Sequence, residues 1–293
     1  MNKLTIFTPT YNRDKLLPRL YESLINQTCK DFVWLIVDDG SNDGTKTLID
    51  NYISKNLIEI RYFYQKNQGK SWAHNYGVQL SDTELFTCVD SDDWLAEDAV
   101  ESILNSWKFE KNMDDDIIGI LVFRGHKDGK AITFIQNKKI ERAILRDSYQ
   151  RYGLTGDTML IYQSSVIKKY SFPKFINEKF VPENYLYDQL DTQGKMVIIR
   201  KVLYYCEYLE NGYTNNMTKL LADNPHGYLA YIEQRLKLDE RLIDRYKDTA
   251  RYIAMAKYVS EKRIIRNSYY KVIAFFAYPL GIVLFKKKYK KYL

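Results

Sequence analysis

Cysteine and histidine are scarce in this 293-residue chain, with three of each. Cys29, Cys88 and Cys206 show no Cys-x-x-Cys spacing, and His74, His126 and His226 are scattered, so neither a disulfide framework nor a zinc site is implied. An apolar leader is also missing. Met1-Asn2-Lys3 gives way to Leu4-Thr5-Ile6-Phe7 and then to polar residues, far short of a signal peptide, which predicts a cytoplasmic protein. No internal repeat occurs. No Gly-x-Gly-x-x-Gly follows the first apolar run, which argues against a nicotinamide-dependent oxidoreductase. Val272 to Phe285 runs 14 residues without a charge, interrupted by Pro279 and Gly281. A membrane span needs about 20 apolar residues, so this run fits a position in the bilayer interface better than a crossing.

What the chain does have is enough apolar content, 45%, to fill a core, and a net charge of +7. Much of that charge sits at the C-terminus, where the last eight residues hold five lysines. Lysines directly after an apolar run suit anionic lipid headgroups, and this reading is favoured over the alternative in which Tyr269, Tyr270, Phe275 and Phe276 merely pack back on the domain.

The first hundred residues alternate short apolar runs with helical spacing, which predicts βαβ units and a mostly parallel sheet. Strands are expected at Leu4–Thr8, Phe32–Val37, Ile58–Tyr64 and Leu85–Val89. Helices are expected after a cap at Asn12 or Asp14, at Thr45–Ile53, at Ser71–Leu80 and at Ala96–Trp107. Further strands are expected near Ile117–Phe123, Ala131–Ile135, Asp157–Tyr162 and Met196–Ile199. From about Pro225 the pattern turns helical, with a boundary near residue 215.

Each early strand delivers polar residues at its C-terminal end, the edge where ligands bind in open α/β sheets. Asp90 and Asp92, one residue apart in Cys88-Val89-Asp90-Ser91-Asp92-Asp93, can face one hard cation shared with substrate phosphates. Read alone, the cluster could equally be a solvated turn in which Asp92 or Asp93 caps the next helix. Val37-Asp38-Asp39-Gly40-Ser41 offers a carboxylate to a base N–H, or simply an Asx-turn. Thr8-Pro9-Thr10-Tyr11-Asn12-Arg13 could meet ribose and base, or start a helix. In Lys66-Asn67-Gln68-Gly69-Lys70-Ser71, a glycine turn sets Lys70 at a helix N-terminus, which attracts phosphate; a plain surface loop is the alternative.

Together, in this order and on successive strands, these segments resemble the family 2 glycosyltransferases over residues 3 to 107. The resemblance implies a GT-A fold, that is, a Rossmann-like α/β domain with a mostly parallel sheet flanked by helices. That domain is expected over 1–215, with a nucleotide-binding half (1–107) and an acceptor-binding half (108–215). A helical region (216–270) and an amphipathic, basic membrane-associating tail (271–293) follow. By resemblance, Thr8, Pro9 and Tyr11 line the nucleotide pocket, Asp39 bonds the base with Asp38 nearby, and Lys70 approaches the diphosphate. Asn75 and Ser91 join the donor site. Asp92 is the direct ligand of Mg²⁺ or Mn²⁺, and Asp90 faces the donor and supports the metal. His74 departs from the family pattern, where many relatives carry arginine.

The family inverts the anomeric carbon and needs a general base. Its best match here is Glu183, in Phe180-Val181-Pro182-Glu183-Asn184, with Asp157 as runner-up or acceptor contact. Asp188, further along the same short helix, is expected to face solvent. The implied activity moves a sugar from a nucleoside-diphosphate donor, UDP-linked by family inference, to a glycan or lipid-linked glycan. The setting is surface polysaccharide synthesis, capsule included, at the inner face of the cell membrane. A non-catalytic, membrane-tethered nucleotide-binding or nucleic-acid-binding module is the alternative. It leaves the acidic clusters without a purpose, so no nucleic-acid partner is expected.

Overall fold

Two runs of seven consecutive buried residues, Leu4–Thr10 (β1) and Phe32–Asp38 (β2), form the centre of a parallel sheet. Strands covered on both faces read as such unbroken apolar runs. The structure is a computed structural model, and it describes residues 3–111, 113, 116–207, 216–238 and 241–293. The expected boundary near residue 215 lies outside the described residues.

The chain divides into two units. The first comprises Met1–Ser171 and Gln189–Tyr208, and the second Phe172–Asp188 and Leu209–Leu293. In the first, β1 is followed by α1 (Leu17–Ile25), β2, α2 (Thr45–Lys55), β3 (Ile60–Tyr64), α3 (Lys70–Leu80) and β4 (Leu85–Cys88). Next come β5 (Trp94–Leu95), α4 (Ala99–Glu110), β6 (Ile117–His126), β7 (Phe134–Ile135), β8 (Arg142–Ala143), α5 (Leu145–Gln150) and β9 (Leu154–Thr155). β10 (Thr158–Gln163) and α6 (Ser164–Ile167) follow, and the last strand is β11 (Lys195–Cys206); the short helix α7 (Asn184–Leu190), which precedes β11 in sequence, lies mostly in the second unit.

The main sheet runs β3-β2-β1-β4-β10-β6-β11-β5, with β8 paired to β11. β3, β2, β1 and β4 are parallel, as are β6 and β11, whereas β10 runs antiparallel to both its neighbours. Trp34, Phe32, Leu20, Ile103 and Tyr204 fill the main core with the strand residues. On the other face α3 lies close against β1. A Cβ on Gly77 would meet the Phe7 ring at 2.3 Å, so only glycine permits that approach.

Four local expectations change. α1 starts at Leu17, with Pro18 in its first turn and no side-chain cap. Asn12 instead takes a left-handed backbone, φ 53, and its Oδ1 accepts the Asn42 amide at 2.9 Å. α4 starts at Ala99 rather than Ala96, because Trp94 and Leu95 are drawn into the sheet against Tyr205 and Tyr204. The strand expected at Ala131–Ile135 shrinks to Phe134–Ile135, with Ala131 making one bridge to Gly125.

The second unit holds α8 (Met217–Asp223), α9 (Pro225–Leu238), α10 (Leu242–Tyr258), α11 (Ile264–Asn267) and α12 (Lys271–Leu284). Ile232, Leu236, Ile253 and Ile264 pack with Ala274 and Ala277 of α12. The segment 172–188 is tied in by Glu178, whose carboxylate accepts the His226 and Gly227 amides, and by Asn224, whose Oδ1 accepts those of Lys179 and Phe180. Asp188 is buried 3.8 Å from the Arg235 guanidinium, not in solvent as expected, because α9 brings that cation to it. No helix of the described residues is long and apolar enough to cross a membrane.

Candidate active site

The site is built at the C-terminal edge of β1, β2 and β4. The parallel register pairs Thr10 with Asp38 and Phe7 with Cys88, so three strand ends deliver their loops side by side. The Asp39 amide donates to the Thr10 carbonyl and the Val89 amide to the Phe7 carbonyl, both at 2.8 Å.

Asp38 and Asp39, both buried, point opposite ways as neighbours in extended chain do. Asp38 accepts the Ser41 amide at 2.8 Å and the Tyr62 hydroxyl at 2.7 Å, and burial together with that bond raises the Tyr62 pKa. Asp39 accepts the Gln65 side-chain amide at 2.6 Å, the Gln68 amide at 2.8 Å and the Gly69 amide at 2.7 Å. Its carboxylate therefore fixes the 65–69 loop. Gly69, at φ 98, turns that loop into α3, whose first residue is Lys70. A residue with a Cβ would be strained there.

Lys70 Nζ sits 2.7 Å from Asp90 Oδ1. Burial pushes the Asp90 pKa up, but Lys70, Arg124 and Arg13 outweigh it and hold the carboxyl below its usual range. Asp93 behaves oppositely. Buried, and facing the negative charges of Asp90 and Asp92, it is pushed up to about 7 despite the 2.6 Å bond it accepts from the Tyr204 hydroxyl. Asp93 is thus no helix cap, since α4 begins six residues later. The same Tyr204 oxygen accepts the Asp90 amide at 3.2 Å, and Arg124 lies 4.1 Å from the centre of the Tyr204 ring.

Asp92 is half-buried, and its backbone carbonyl accepts a hydrogen bond from Arg19. That guanidinium stacks 3.8 Å above Trp94 and pairs with Glu207 at 2.6 Å. Arg19 therefore holds the 90–93 loop from α1.

Of the other residues expected at the donor site, Thr8 is buried and accepts the Trp34 indole N–H at 3.0 Å, Pro9 and Ser91 are buried, and Tyr11 is 46% exposed. Asn75 is buried on α3. His74 is packed edge-on against Phe7 and Phe86, at 5.7 and 5.6 Å, as a core side chain. Asp157 is exposed at the N-terminal end of β10, which the antiparallel direction brings to this same edge. The Cys206 thiol, pushed up to about 11 first by burial, senses the charges of Asp93, Arg124, Asp157 and Asp90. Glu183 is exposed in the second unit, one residue ahead of α7, with its carbonyl accepting the Leu186 and Tyr187 amides.

Among the described residues no group of three or more His, Cys, Asp or Glu could enclose a metal ion. Asp90 and Asp92 supply the carboxylate oxygens that a hard divalent cation takes together with phosphate oxygen. The upward pressure that both exert on Asp93 marks a concentration of negative charge that such a cation would relieve.

Arg19, Arg124, Trp94 and Tyr204 were not anticipated from the sequence. Arg124, a charge closing the apolar run Ile117–Phe123, was the one local signal; Tyr204 is one tyrosine among 26.

Residues 5–173, more than half of the chain, match the family model described as glycosyl transferase family 2. The poly(ribitol-phosphate) beta-N-acetylglucosaminyltransferase TarP of Staphylococcus aureus is 31% identical over 173 residues, 58% of this chain and 51% of TarP. The chain thus spans about half the length of that relative. The GalNAc(5)-diNAcBac-PP-undecaprenol beta-1,3-glucosyltransferase of Campylobacter jejuni is 26% identical over 271 residues, 89% of this chain and 84% of that protein. Among solved structures, S. aureus TarS 1-349 in complex with UDP-GlcNAc superposes with a TM-score of 0.63 at 16% identity, covering 99% of this chain and 91% of that one. The Pyrobaculum calidifontis mannosyltransferase PcManGT in complex with GDP-Man and Mn²⁺ gives 0.56 at 12% identity, covering 96% and 73%. The fold shared with TarS is the GT-A fold.

Proposed function

Because the chain belongs to glycosyl transferase family 2, we propose that it is a glycosyltransferase that moves a sugar from a UDP-linked donor to a hydroxyl of a glycan or lipid-linked glycan. The setting is synthesis of a cell-surface polysaccharide at an anionic membrane surface. The observation that carries this reading is the gathering of Lys70, Asp90 and Asp92 beside the loops that Asp38 and Asp39 lock. Relatives that bind UDP-GlcNAc or act on an undecaprenol-linked glycan support the donor and acceptor classes.

In this reading Thr8, Pro9, Tyr11 and Asp38 line the base and ribose side. Asp39 uses three of the roughly four acceptor positions of a carboxylate to hold the 65–69 loop, leaving one for a base N–H. The amino end of α3, with Lys70 and Asn75, faces the diphosphate. Asp92, with Asp90, would hold Mg²⁺ or Mn²⁺, which when bound offsets charge on the departing diphosphate, and Ser91 joins the donor site. The acceptor hydroxyl oxygen attacks the anomeric carbon as the bond to the diphosphate breaks. Glu183 takes the hydroxyl proton, and Asp157 contacts the acceptor.

A screen of nucleotide sugars for hydrolysis with and without Mn²⁺ or Mg²⁺ tests the reading. Cation-dependent release of UDP from one UDP-sugar is the expected result. UDP bound tightly with no turnover of any nucleotide sugar would favour the non-catalytic module instead.

A further inference from the structure

The second unit carries a feature that sugar transfer does not use. α12 is packed on one side only. Ala274 and Ala277 are fully buried, and a Cβ on Gly281 would meet Ile253 Cγ2 at 2.5 Å, so small residues let this face lie flush on α10. The opposite face is apolar and open, with Val272 74%, Phe275 66% and Phe276 67% exposed, followed by Leu280 and Val283. At 100° per residue these five fall within an arc of about 140°. Lys271 precedes the face, and Lys286, Lys287, Lys288, Lys290 and Lys291, all exposed, follow it.

A cavity of about 540 Å³ opens at the flank of this helix, lined by Lys257, Lys262, Arg263 and Arg266 with Tyr278 of α12 and one acid, Glu261. Tyr278 lies roughly 60° round the helix from Phe275, so the basic cavity borders the apolar arc.

We propose that this surface is a preformed bilayer-docking site for anionic phospholipid. The five apolar side chains enter the acyl region, the lysines at both ends meet the headgroup layer, and the cavity receives a headgroup phosphate. The proposal extends the membrane-surface reading above by naming the residues that carry it. Charge selects the occupant. A second copy of the chain would set lysine against lysine, whereas an anionic bilayer offers the opposite sign at both ends of the face. Length sets the orientation. Fourteen residues rise about 21 Å, short of the roughly 30 Å hydrocarbon core, and the lysines that follow bar a longer crossing, so the helix lies in the plane. The anchor is also part of the folded unit, not an appended tail, so it is tested by outward-facing substitutions and not by deletion.

The experiment uses the full chain and sedimentation with vesicles of phosphatidylcholine, alone or mixed with phosphatidylglycerol. The wild type should partition at least tenfold more strongly into the mixed vesicles. The double variant Phe275→Ser/Phe276→Ser should lose that binding by at least tenfold, and Lys262→Glu/Arg266→Glu should weaken it about fivefold, with both melting curves unchanged. Equal binding to both vesicle types, or full binding by the phenylalanine variant, overturns the proposal. So does a wild-type dimer that the phenylalanine variant converts to monomer in the absence of any vesicle binding. Hydrolysis of UDP-sugar in solution is read in parallel. Its absence in the wild type would sink the transferase reading while leaving the vesicle result intact, so the two failures are distinguishable.

Discussion

The two units treat their conspicuous side chains in opposite ways. In the sheet unit, four aspartates of one edge, Asp38, Asp39, Asp90 and Asp93, are each held by a hydrogen bond or ion pair within the unit. In the helical unit the conspicuous residues are the apolar ones of α12, and they face solvent. A preorganised polar cluster spends little reorganisation when a charged ligand arrives, and an uncovered apolar face is stabilised only when something covers it. On the two proposals above, the contrast separates where chemistry is done from where the protein is held.

The comparison breaks first at Asp92. Asp92→Asn should lower cation-dependent donor hydrolysis by at least about 10²-fold while leaving the melting curve unchanged, since a cation contributes several kcal/mol to leaving-group stabilisation. Normal turnover in this variant removes the metal assignment. Arg19→Ala should come next, weakening Mn²⁺ activation by about 10- to 100-fold, as lost outer-shell support does. The readout is the Mn²⁺ concentration for half-maximal rate, and a shift in donor KM alone would argue against a positioning role through Asp92.

Stability changes should be smaller and should sort by face. Gly281→Leu forces a side chain into Ile253 and should cost about 1–3 kcal/mol by denaturant unfolding. Tyr204→Phe strips Asp93 of its donor and the Asp90 amide of its acceptor, costing about 1–3 kcal/mol. Phe275→Ser, on the open face of the same helix as Gly281, should stay within about 0.5 kcal/mol. A large loss there would mean that the face is already covered within the protein.

Much of the sheet edge was legible because it is local. Each apolar run ends in polar residues within a few positions, so the loops after β1, β2 and β4 and the start of α3 at Lys70 could be read from spacing and from resemblance to one family. The acidic motif was ambiguous alone, and the segments around it gave it meaning. Whether Asp93 caps a helix stayed open because its partner, Tyr204, lies 111 residues away in sequence. Asp188 was misplaced for the same reason, its partner Arg235 arriving on a later helix.

By itself the sequence determined the parallel βαβ half, the acidic pairs at strand ends and the apolar run with its lysines, because each is a pattern within one turn or one strand. Only the tertiary structure decided that Asp39 holds a loop, that Arg19 and Tyr204 support the 90–93 segment, and that one face of α12 is packed and the other open. Those outcomes depend on contacts between segments 26 to 111 residues apart, and side-chain spacing along the chain carries no information about them.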